Sequence, residues 1–188
     1  MKKRFVFSIA AMLAGSVFAA PETYVIETGH TAPRFEYNHL GFSNQQHRFD
    51  KTSGTIILDR AAKTASVDVS IDAKSVNTGN AVFNEHIQNE YFFNTATYPT
   101  ITFKSTHVKF EGDQPVSIDG NLTIKGVTKP VTLTVTSFLA KPHPMMKRDA
   151  IGANAVAKIK RSDFNMGKNA PFVSDDVTLT FAVEAIKQ

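Results

Sequence analysis

Along most of this chain, apolar and polar residues alternate with a period of two. In Thr100-Ile101-Thr102-Phe103-Lys104, Ile101 and Phe103 share one face while Thr and Lys share the other. Successive side chains of an extended strand point to opposite faces, so this pattern predicts half-buried β-strands. Val67, Val69 and Ile71 repeat it among Ser and Asp, and Val131, Leu133 and Val135 repeat it among Thr residues. Val177, Leu179, Phe181 and Val183 do so near the C-terminus. Ile118, Leu122 and Ile124, Phe35 with Tyr37, and Ile56 with Leu58 continue the theme. The pattern predicts at least seven strands, divided by turn signals such as Glu111-Gly112-Asp113 and Lys125-Gly126. Strands with one apolar face fit a sandwich or a closed barrel. An outer-membrane barrel, apolar on the outside, is disfavoured by short segments, no aromatic girdle and a polar Lys187-Gln188 end.

Two stretches break the alternation. Residues 80–93 space Val82, Phe83, Ile87 and Tyr91 roughly as a helix does, which predicts one or two short helices in a crossing connection. Tyr98-Pro99 then leads into the next strand, because proline biases its predecessor toward extended geometry. Residues 141–147, with Met145 and Met146, are expected to form an irregular loop.

The N-terminus follows another pattern. Lys2, Lys3 and Arg4 precede an apolar run from Phe5 to Leu13, and Val17 and Ala19 are small. This is the layout of a cleavable export signal, with the cut expected after Ala19. Cutting after Ala20 would place Phe18 and Pro21 unfavourably. The apolar run falls short of the roughly 20 residues a membrane span needs, which disfavours an anchor helix. One domain, residues 20–188, is then expected outside the cytoplasm, in the periplasm.

Removing the signal changes the charge. It holds three of the 21 basic residues and none of the 17 acidic ones, leaving 18 against 17. The apparent basicity is a targeting feature, and it gives no reason to expect nucleic acid or an anionic membrane as partner. No later stretch approaches spanning length, so an integral membrane protein is not expected. The chain has no Cys, which excludes disulfides, thiol catalysis and thiolate metal sites.

A catalytic constellation is not evident. GxSxG, HExxH, P-loop and GxGxxG motifs are missing. The six His (30, 39, 47, 86, 107 and 143) include no pair at helical metal-binding spacing. Glu85 and His86 are neighbours and do not face each other on a helix. Asp175 and Asp176 point to opposite faces of an extended chain, so they form no carboxylate dyad.

The interior remains. The residues expected to face it are Phe35, Tyr37, Ile56, Leu58, Val69, Ile71, Ile101, Phe103, Leu122, Leu133, Leu179 and Phe181. Phe83 on the helical segment and His39 complete the expected ligand-contacting set. His39 shares a face with Phe35 and Tyr37 and could meet a polar head group; a structural hydrogen bond is the plainer role. Small residues (Gly120, Ala153, Ala155 and Ala157) sit among the large ones. They could leave a cavity or provide the taper of a filled core. An apolar lining favours an apolar ligand.

Several blocks together resemble the YceI-like family: His39-Leu40-Gly41-Phe42-Ser43, Ser53-Gly54-Thr55-Ile56, and Ser75-Val76-Asn77-Thr78-Gly79-Asn80. More specific are the stretch from Phe92 to Ser105 containing YPTITFKS, the stretch from Gly120 to Val131 containing LTIKGVTKPV, and Arg161-Ser162-Asp163-Phe164. The resemblance runs from about residue 22 to 186. It implies an all-β fold, an eight-stranded antiparallel lipocalin-like barrel with a helical insertion around residues 80–93. It also implies an elongated tunnel for a polyisoprenoid, such as a quinone tail or related amphiphile. Members are often periplasmic, dimers are known among them, and no accepted catalytic residues come with the family; no metal is expected, from the scattered His. The expected function is therefore a carrier of a hydrophobic small molecule, non-covalently bound, and not an enzyme. The alternatives are an enzyme or redox accessory acting on a quinone-like ligand through His39 or His86, and an interaction module with a filled barrel. One departure stands out: Phe83 and Asn84 replace an Arg-Asp pair usual in the family, which puts head-group preference in question.

Overall fold

A computed structural model describes residues 20–188, so the expected signal lies outside the described residues. In chain order the strands are β1 (Glu22–Ile26), β2 (Arg34–His39), β3 (Ser43–Phe49), β4 (Thr52–Asp59), β5 (Thr64–Asp72) and β6 (Val76–Asn77). The helix α1 (Ala81–Ile87) follows. Then come β7 (Thr100–Glu111), β8 (Gln114–Ile124), β9 (Val127–Pro142), β10 (Asp149–Lys160) and β11 (Asp176–Lys187). Among the described residues no helix is long and apolar enough to cross a membrane.

Eight strands, in the order β1-β4-β5-β7-β8-β9-β10-β11, form an antiparallel barrel. It closes where Tyr24 pairs with Lys187 and Ile26 with Ala185. The alternation read from sequence holds: Ile71, Ile101, Phe103, Leu122 and Leu133 are buried, while Ser66, Asp68 and Lys104 on the opposite faces are exposed. Closure leaves no bare edge among these eight strands.

β11 is paired twice along one edge. Residues 185–187 pair with β1, while residues 178–180 pair with β2, Leu179 lying opposite Phe35. The barrel is thus sealed by β1 at one end, while at the other a wing of β2, β3 and β6 continues the wall and leaves that end unsealed. The two ends have separate cores. The sealed end packs Tyr24, Ile26, Leu58, Ile151 and Ala185, with Ile56, Phe110 and Phe138 against them. The other end joins barrel residues to the wing and to the segment after α1, through Phe49, Val76, Ile87 and Phe93.

The turns follow their residue chemistry. Lys125 (φ 50°) and Gly126 (φ 75°) form a two-residue hairpin loop, as paired left-handed conformations do. The Tyr98 ring lies where a side chain at Gly126 would stand, so the YPT and KG blocks are packed together. The expected helical insertion is one helix of seven residues, capped by the Asn80 side chain accepting from the Phe83 N–H at 3.0 Å, with hydrogen-bonded turns continuing to Tyr98. The Met145-Met146 loop lies at the sealed end, where both backbone N–H groups donate to His143 Nδ1.

Gly120 resolves one ambiguity. A Cβ there would overlap the Phe103 ring, so this small residue makes room for a large neighbour and leaves no void. Gly54 is constrained more severely, because its missing Cβ is where the Asp68 carbonyl of β5 runs. Gly54→Ala is therefore expected to cost about 2 kcal/mol or more through overpacking. That corresponds to a melting temperature lowered by about 4–8 °C. Gly152→Ala, whose nearest neighbour would be 4.0 Å away, should melt with the parent protein.

Candidate ligand cavity

The unsealed end of the barrel holds a cavity of about 210 Å³. Its floor and walls are inward-facing strand residues: Ile71, Ile101, Leu122, Ile124, Ile159, Val177, Leu179 and Phe181. Phe35, Tyr37 and Phe49 of the wing form one side of its roof. Phe83, Ile87, Phe92 and Phe93, from α1 and the turn after it, form another, and Met166 and Val173 close the last gap. Phe35 stands at the centre of this roof, with ring centroids 5.6 Å from Phe49 and 5.8 Å from Phe93. The lining residues that reach solvent are polar: Arg34, His39, His86, Lys168 and Asn169. The lining contains no carboxylate.

Of the residues expected to contact a ligand, Phe35, Tyr37, His39, Ile71, Phe83, Ile101, Leu122, Leu179 and Phe181 line this cavity. Phe103 and Leu133 belong to the same buried cluster but stand outside the lining. Val69 packs between the two cores. Ile56 and Leu58 do not reach the cavity, since their stretch of β4 lies at the sealed end. As ligand contacts, sequence reasoning missed, among the apolar and buried lining, Phe49, Ile87, Phe92, Phe93, Ile124, Ile159, Arg161, Met166, Val173 and Val177, and at the rim Arg34, His86, Lys168 and Asn169. Phe92 and Phe93 were visible as a pair, but only the turn beyond α1 aims them at the barrel.

Arg161 shapes the rim. It is buried, and its guanidinium donates to the carbonyls of Ser174 (2.8 Å), Lys168 (2.8 Å), Val173 (2.7 Å) and Met166. Burial pulls its pKa down, while the nearby Asp175 carboxylate favours the charged form. Asp175 in turn accepts from the Ser162 N–H (2.8 Å) and hydroxyl (2.7 Å). Asp176 instead pairs with Lys160, so the two neighbouring carboxylates do point apart. The Arg161-Ser162-Asp163-Phe164 block is thus a staple for residues 166–175, with Phe164 fully buried beneath it.

The Phe83-Asn84 departure has a physical account. The Asn84 side-chain oxygen accepts from the Thr78 N–H (2.7 Å) and hydroxyl (2.8 Å), tying α1 to the end of the wing. Phe83 presents an aromatic ring to the cavity and packs 5.5 Å from the ring of His47. His47 is buried among Phe35, Tyr37 and Phe83; its Nε2 lies 3.2 Å from the Tyr37 hydroxyl and its Nδ1 has no partner. Burial lowers the His47 pKa and raises that of Tyr37, so both are neutral near pH 7.

A base whose pKa is depressed by folding binds protons more readily when unfolded. Stability is then retained above the unfolded-state value and lost as pH falls below roughly 6.5. Melting measured from pH 8 to 5 is expected to show this loss, and His47→Phe is expected to flatten it.

The comparisons with known proteins agree with this architecture. Residues 24–185 match the YceI-like domain. Protein YceI of Salmonella arizonae is 38% identical over 192 residues, covering 100% of both chains. The crystal structure of a Campylobacter jejuni YCEI protein is 32% identical, with a TM-score of 0.68, over 80% of this chain and 90% of that one. A domain from Saccharophagus degradans, described as polyisoprenoid-binding, shares the fold with a TM-score of 0.66 at 21% identity, over 88% of this chain and 98% of that one. With its barrel, its wing and its quoted sequence blocks, this chain belongs to the YceI-like family.

Proposed function

We propose that this protein binds and carries a polyisoprenoid or a similar long-chain amphiphile, holding the apolar chain in the barrel cavity and the polar head at the rim. The carrying observation is the division of the lining: aliphatic and aromatic inside, with His39, His86, Lys168 and Asn169 where the cavity meets solvent. Burying an apolar chain is favourable by about 0.8 kcal/mol per CH₂, so such a lining binds by length and shape with little demand on chemistry. The polyisoprenoid-binding description of the Saccharophagus degradans domain supports the ligand class. The periplasm, reached through the N-terminal signal, is the compartment in this reading, and there a water-insoluble chain needs shielding. In this reading the ligand is carried unchanged.

A volume of about 210 Å³ is below the roughly 300–1,000 Å³ of ordinary small-molecule sites. A long chain therefore enters only if the roof yields. The wing is held to β11 by three residue pairs and the rest of the roof comes from α1 and loops, so in this reading the roof is the part that yields.

Mass spectrometry of organic extracts from freshly purified protein is expected to show a long-chain amphiphile at about one per chain. Repeated preparations without one would overturn the reading. Leu179→Trp, which places a large ring in the cavity, is expected to cut ligand retention at least about tenfold, the equivalent of losing two buried CH₂ groups. Ile57→Trp, at an exposed outward position, should retain the ligand.

A further inference from the structure

Two chain tips stand side by side next to the cavity opening. One is the β2–β3 loop, where Leu40 (φ 56°) and Gly41 (φ 76°) form a tight turn ending in Phe42. The other is the segment held by Arg161, which carries Phe172. The Leu40 N–H donates to the Phe172 carbonyl at 3.0 Å, and His39 bridges to Val173. Phe42 is 89% exposed and Phe172 75%, although the barrel beside them has room for apolar side chains. Both tips are anchored by backbone hydrogen bonds, so their exposure is built into the fold. Residues 38–44 and 166–174 contain no Asp or Glu, and Lys168 supplies a cation, its ammonium 3.2 Å from the Tyr91 ring centroid.

We propose that the paired tips bearing Leu40, Phe42 and Phe172 are a docking surface for a phospholipid bilayer containing anionic lipid, which brings the cavity opening against the membrane. Apolar side chains flanked by a cation enter an acyl–headgroup boundary favourably, and the nearest carboxylates, Glu36 and Asp175, lie behind the tips and are occupied by hydrogen bonds from Asn44 and Ser162. A second copy of the chain fits less well, because three protruding side chains fall far short of the roughly 20–30 residues each partner gives to a stable interface. The mature chain's near-zero net charge does not argue against docking, since the attraction is local to these tips. The surface goes beyond the carrier reading, which gives it a purpose: a chain can pass between bilayer and barrel without crossing water.

Vesicles of phosphatidylethanolamine with one-quarter phosphatidylglycerol, mixed with delipidated protein, provide the test. Co-sedimentation of the parent protein is expected. Phe42→Ser/Phe172→Ser should lower the bound fraction at least about tenfold without changing the melting temperature, while Met145→Ser/Met146→Ser at the sealed end should leave it unchanged. The chain has no Trp, so Phe42→Trp introduces a single indole fluorophore. Its emission should shift to the blue on vesicles and be quenched by brominated lipid. A parent protein that does not sediment, an indole emission in the Phe42→Trp variant indifferent to brominated lipid, or a dimer in sedimentation velocity that Phe42→Ser disperses would each overturn the proposal. Ligand retention is read separately by extraction, so docking can fail while the carrier reading stands.

Discussion

The structure depends on how one strand divides its edge. A closed barrel satisfies its backbone groups by pairing every strand on both sides, and β11 achieves this with two different partners. Where β1 is the partner, the interior fills with Tyr24, Ile26 and Leu58. Where β2 is the partner, the wall leans outward into a wing, and side chains from outside the barrel complete the core. The cavity exists because this second packing joins elements distant in sequence, which meet over the barrel less tightly than neighbouring strands do.

The polar elements serve this division. Arg161 satisfies four carbonyls of an irregular segment that no strand could satisfy, and Asn84 fixes α1 to the wing. Neither side chain need touch a ligand to matter. Each positions a piece of the roof, and the apolar residues on that piece do the enclosing. His47 with Tyr37 is a different case: a neutral polar pair set among aromatic rings, with one nitrogen left unpartnered.

Much of the barrel was legible because the alternation is a direct projection of inside and outside. Ile71, Ile101, Leu122, Leu179 and Phe181 could be assigned to the interior from period alone, and they line the cavity. Period carries no information about depth along the barrel axis, so Ile56 and Leu58 read the same as Ile71 although they lie at the other end. β3, Ser43-Asn44-Gln45-Gln46-His47-Arg48-Phe49, has hardly any apolar alternation, which hid Phe49 and His47. The register shifts after Ser105 in β7 and opposite Asn154 in β9 exchange inner and outer faces mid-strand, and local sequence does not announce them. The roof was least legible, since its members come from a loop, a short helix and a wing that only tertiary pairing assembles.

The Arg161 staple has a consequence for how such proteins diversify. It grips the segment 166–175 by main-chain carbonyls, a group every residue type carries. Apart from Asp175, which is itself tied to Ser162, the path of the rim is thus held through groups that do not depend on the side chains displayed on it. Substitution can rewrite the polarity and bulk at the entrance while one arginine preserves the path of the chain. Relatives with the same barrel can in this way acquire different tastes in ligand without renegotiating their folding.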